Sequence, residues 1–155
     1  MSDAASTYLE DKLLNHTLRY SAAPYTGVNT VYVALFSGTA ATVKTALESG
    51  TSSTSGSGNW GFYEINNASY VRRSVTFSAA ASGSISSDIT VTFPVATSDY
   101  NNTATSGSTV TCLAIVDAPS GSTNVLFYGE LTVPKQVSSG DQFTISSTNL
   151  TVQLA

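Results

Sequence analysis

Apolar and polar positions along this chain follow two different periods. Near the start, Leu9, Leu13, Leu14 and Leu18 recur at helical spacing, while Asp11, Lys12, Asn15 and Arg19 fall mostly on the other side. Thr7 and Glu10 fit a capping box with Thr7 as the N-cap, and Pro24 ends the helix within a few residues. The pattern predicts one helix over 7–20. About three turns of helix are marginal alone in water, so the leucine face needs a surface to dock on. That surface is either the chain's own body or a neighbouring subunit.

After the helix the period becomes two. Thr30–Phe36 is apolar or aromatic at nearly every position, as in a strand buried on both faces or lying centrally in a sandwich. Tyr70–Phe77 and Ile89–Phe93 alternate, Val110–Val116 is an almost continuous apolar run, and Val125–Leu131, Gln142–Ile145 and Leu150–Leu154 complete the set. About seven or eight short strands separated by Gly, Pro and Asn turns predict an all-β fold. The expected form is a single antiparallel β-sandwich, jelly-roll-like, spanning 1–155 with one short N-terminal α-helix. Parity along the strands places Val33, Leu35, Val75, Phe77, Val91, Phe93, Leu113, Ile115, Phe127, Ile145 and Val152 in the core.

One stretch breaks the rhythm. Residues 38–69 form a long, mostly irregular loop in this reading, with a helical turn at Thr42–Glu48 and a Gly/Ser/Thr tract at Gly50–Asn59. Connections of this length usually carry function or are disordered. The tract runs into Trp60, Phe62 and Tyr63, which makes the region from Gly38 to Tyr63 a candidate contact with another subunit. Glu64 and Arg72 are placed to pair across a turn and close this loop, an exposed pair that sets register more than it stabilises.

Composition removes several classes of function. Charged residues make up 10% of the chain, far below the usual quarter, and the net charge is −4. Among six scattered cations only Arg72 and Arg73 are adjacent, so no phosphate-tracking surface exists and nucleic acid is excluded as the main ligand. Cys112, the only cysteine, lies in an apolar run and is expected in the core. With one histidine, His16, and one cysteine, no Cys/His metal cluster is available, and a Ser-His-Asp triad would have to use a helix-surface residue. Asp88, Asp99, Asp117 and Asp141 sit singly in turn contexts, which explains them without catalysis. The start Met1–Ser6 has neither a basic region nor an apolar one, so no signal peptide is expected, and no apolar run approaches membrane-spanning length. No cofactor is implied.

Several stretches, in order, carry a resemblance: Leu9-x-x-x-Leu13-Leu14-x-His16-x-Leu18-Arg19, Val31–Phe36, Glu64-Ile65, Tyr70-Val71-Arg72, Gly83–Ser86, Ile89–Ala96, Ile115–Asp117, Leu126–Leu131, Ser139–Phe143 and Asn149–Val152. Together they resemble a family of small bacteriophage structural proteins, often labelled tail-fibre proteins. The resemblance implies a virion part and offers no catalytic residues, and the free thiol of Cys112 fits assembly in the reducing host cytoplasm. A fibre shaft needs length and a repeating, trimer-forming sequence, and this chain has neither. The sequence reading therefore prefers a capsid decoration or cement protein on the outer surface of the particle. A tail, baseplate or tail-fibre component is the alternative. A carbohydrate-binding module that stacks sugars on Trp60, Phe62 and Tyr63 is a third. Expected partners are the major capsid protein or tail proteins and further copies of the chain, with no nucleic acid and no membrane. The expected contact residues are Leu9, Leu13, Leu14, Leu18, Trp60, Phe62 and Tyr63.

Overall fold

The computed structural model describes residues 5–19, 25–48, 60–102, 108–121 and 123–154. The predicted helix is present as α1, Thr7–Leu18. Its N-cap is Ser6, one residue earlier than the capping box suggested: the Ser6 hydroxyl oxygen accepts from the Leu9 amide at 3.3 Å. Ser6 takes that place because it is also an edge partner. Its amide donates to the Leu126 carbonyl at 3.0 Å and its hydroxyl donates to the Val125 carbonyl.

Eight strands follow in chain order: β1 Val31–Ser37, β2 Arg73–Val75, β3 Ser84–Ser86, β4 Val91–Val95, β5 Thr109–Val116, β6 Val125–Gln136, β7 Gln142–Ile145 and β8 Thr151–Gln153. All pairings are antiparallel. One four-stranded sheet has the order β2-β1-β5-β6, and two short pairs, β3-β8 and β4-β7, pack against it. The register sets Val33 opposite Ile115 and Leu35 opposite Leu113, so the alternating large side chains of β1 and β5 share one face. On that face they meet Val75, Val91, Phe93, Phe143 and Val152 in the first of two core clusters. Of the expected core, Phe77, Phe127 and Ile145 are half-buried and pack against the rim of this cluster; the others are buried in it.

The second cluster lies on the opposite face and is covered by the stretch 38–69, where the expected helical turn at Thr42–Glu48 is a longer helix and a second turn follows the Gly/Ser/Thr tract. Two helices form there, α2 over Ala40–Glu48 and a single turn, α3, over Trp60–Tyr63. Val43, Ala46 and Leu47 of α2, with Trp60 and Tyr63, cover Ala34, Phe36, Cys112, Ala114 and Val116. The small residues Ala34, Cys112 and Ala114 lie where the helices approach the strands. Gly38 makes the turn from β1 into α2 at φ +144°, and a Cβ there would sit 3.1 Å from Val43 and 3.3 Å from Tyr63. After α3 the chain returns to the sheet, with the Ile65 amide donating to the Leu35 carbonyl at 3.0 Å. The Gly/Ser/Thr tract lies outside the described residues. The fold is thus a β-sandwich carrying a helical cover, and the near-continuous apolar character of β1 and β5 reflects burial on both faces.

Candidate functional site

The leucine face of α1 is divided along its length. Leu9 is buried and Leu13 is half-buried against the first core cluster, whereas Leu14 and Leu18 are 56% and 81% exposed. Every residue from Leu14 to Arg19 is exposed. The helix docks by its first half only, held through Ser6 at the outer edge of β6. His16 lies on the exposed half.

The aromatic group has the opposite fate. Trp60 is 1% exposed and Tyr63 is 7% exposed, with Phe62 half-buried. Trp60 packs edge-on to Phe36 at 5.9 Å, and the Arg72 guanidinium lies 5.4 Å from its ring centroid. A sugar-stacking platform needs open ring faces, which the buried Trp60 and Tyr63 do not offer. Among the described residues of the Gly38–Tyr63 region, Val43, Ala46, Leu47, Trp60 and Tyr63 face the chain's own sheet.

Glu64 and Arg72 do pair, and the pair is buried instead of exposed. Their side chains are 13% and 6% accessible, with Arg72 Nε 2.7 Å from Oε1 and Nη2 2.8 Å from Oε2. Arg72 also donates to the Ala118 carbonyl at 3.1 Å, in the turn between β5 and β6. The Tyr70 hydroxyl donates to Glu64 Oε1 at 3.0 Å and accepts from the Leu35 amide at 3.0 Å. Burial, then the charge of Glu64, push the Tyr70 phenol well above its ordinary pKa, so it stays a donor. Burial by itself would lower the guanidinium pKa of Arg72, but the hydrogen bonds and charge of Glu64 raise it. This network joins β1, α3 and the β5–β6 turn beneath a cleft of about 340 Å³ lined by Gly61, Asn66, Val71 and Ser120 among others. Arg72 spends its donors inside the protein, so the cleft presents an occupied cation rather than an anion receptor.

Asp117 organises the same turn. One carboxylate oxygen accepts from the Thr123 hydroxyl and from the Asn124 amide at 2.8 Å, and the other accepts from Asn124 Nδ2 at 2.7 Å. Burial alone would raise its pKa, but these bonds prevail and hold it below the ordinary aspartate value. A depressed folded pKa contributes stability that is present above the unfolded value and lost as pH falls through the folded one. Asp117→Asn should therefore be less stable than wild type at neutral pH, and the gap should close as pH is lowered through and below the ordinary aspartate range. Urea midpoints measured across that range check this; a gap that stays constant with pH would contradict it.

A second opening, about 300 Å³, lies between β6 and β7 and is lined by Leu113, Leu131, Val133, Phe143, Ile145 and Leu150 together with polar residues. Val133 on its rim is 74% exposed. Among the described residues no group of three His, Cys, Asp or Glu side chains is placed to hold a metal ion. No helix among them is long and apolar enough to cross a membrane.

Two comparisons with known proteins bear on this arrangement. The family model described as podophage GP4 fiber I protein gp80 matches residues 4–153. No curated protein matches the chain.

Proposed function

Since the chain belongs to the podophage GP4 fiber I protein gp80 family, we propose that this phage structural protein is a subunit of a tail fibre, with a mechanical and docking role rather than a catalytic one. The observation that carries this reading is the extent of the family match, which takes in the helix, both core clusters and every strand. It favours the tail-fibre alternative over the capsid decoration preferred from sequence. A shaft is only one part of a fibre. A fibre also needs compact units where it attaches, bends or ends. A β-sandwich with a two-sided core supplies a rigid block, and its partners are other tail proteins and further copies of itself.

Phage particles carrying an epitope tag on this chain, imaged by immunogold electron microscopy, test the reading. Gold is expected at the tail. Gold distributed over the capsid surface would return the protein to the decoration class.

A further inference from the structure

The four-stranded sheet ends at β6, and the outer edge of that strand is closed by two different means. From Glu130 onward the strand closes itself. Glu130 carries a charge that pairs with Lys44 at 3.7 Å. The register slips between the Cys112–Glu130 and Val110–Lys135 pairs, and Pro134 and Lys135 occupy the strand. Charges, a bulge and a proline all discourage a further strand from adding to an edge. The opposite edge of the sheet, β2, is only three residues long, and its Arg73 donates to the Thr92 carbonyl beside β4 at 2.8 Å.

Val125–Tyr128 has none of these devices. It reads Val-Leu-Phe-Tyr, without charge, proline or glycine, a composition that pairs readily with a foreign strand when it lies on an open edge. The N-terminal arm lies on this stretch. The Ser6 amide donates to the Leu126 carbonyl at 3.0 Å, the Ser6 hydroxyl donates to the Val125 carbonyl, and Ala5 forms an antiparallel bridge with Phe127. From Thr7 on the arm is helical, and a helix pairs its backbone internally instead of offering a new edge.

The arm is fastened as one unit. The Ser6 oxygen that donates to β6 also accepts from the Leu9 amide as the N-cap of α1, and Leu9 is buried in the first core cluster. The Thr7 hydroxyl donates to Glu48 at the end of α2 at 3.3 Å. Loss of the helix's footing therefore lifts the edge contacts with it.

We propose that the arm is a guard for this edge: Ala5-Ser6 occupies Val125–Phe127 so that no other chain adds a strand there, and α1 is the anchor that keeps it seated. The covered stretch is a latent strand-addition site, closed in the folded chain by the chain itself. The inference holds whichever part of the particle contains the protein.

The full-length Ser6→Pro/Leu9→Asp variant tests this. Ser6 has φ −72°, which proline adopts without strain, so that change removes the amide and the hydroxyl and leaves the backbone path. Leu9→Asp places a charge in the buried anchor site. Circular dichroism and Trp60 emission report the fold, sedimentation velocity over a concentration series reports association, and hydrogen exchange reports the 125–127 segment. The expected result is a wild-type-like fold with a several-fold larger share of high-mass species than wild type at equal concentration. The 125–127 segment should exchange faster than in wild type when dilute and regain protection on association. A folded variant that associates no more than wild type overturns the proposal. So does association that leaves the segment unprotected, which places the contact elsewhere. Loss of the fold also overturns it, because the arm is then part of the core rather than its guard.

Discussion

Arg72→Ala should destabilise the folded chain by about 3–5 kcal/mol, the cost of leaving a buried carboxylate without its partner. For a protein of this size that corresponds to a fall in Tm on the order of 10 °C. The expectation rests on burial: with side chains only 6% and 13% accessible, Arg72 and Glu64 cannot fall back on water when the bidentate contact is lost. Glu64 would keep the Tyr70 hydroxyl as a donor, which is too little to solvate a full charge. The loss also frees the Ala118 carbonyl and uncovers one face of Trp60. A double-mutant cycle separates these effects. Glu64→Ala together with Arg72→Ala should cost well below the sum of the two single changes, because the second removes the charge that the first stranded. Additive losses in chemical denaturation would show that the pair behaves like a solvated surface bridge, as the sequence alone suggested.

Trp60→Ala is expected to cost about 3–5 kcal/mol. The ring is 1% exposed and is the largest of the fully buried side chains, wedged between Phe36 and Arg72 above the sheet. Alanine would leave a cavity under a single turn of helix, and that turn has little of its own to hold it. Trp60→Phe should cost much less, since it keeps most of the apolar area and removes an indole N–H that has no hydrogen-bond partner among the described residues. The protein has one tryptophan, so its fluorescence reports on this cover directly. Blue-shifted emission that moves red in the same transition as the loss of β-structure by circular dichroism is expected. Trp60→Ala with unchanged stability would mean that the ring is at the surface, and would reopen the sugar-platform reading.

The sequence by itself determined the class of fold, most strand positions and one of the two core faces. Alternation of period two is a local property: once Val33, Leu35, Leu113 and Ile115 are on one face, burial of that face sets the register. The N-terminal helix was legible for the same reason, to within one residue at its cap. The unbroken apolar runs of β1 and β5 marked them as central strands, although what covers their second face was not visible. The spacing of Val43, Ala46 and Leu47 marks a helix, but no local rule says where that helix lands. Tertiary structure decided this by bringing α2 and α3 back over β1 and β5, and so turned Trp60 from a candidate contact residue into a core residue. It also moved the Glu64–Arg72 pair from surface to interior, because the cover and the β5–β6 turn close over it. In the same way it split four equivalent leucines into two that dock and two that project. Periodicity specifies which side of an element is apolar; only the meeting of elements distant in the chain specifies how much of that side is covered.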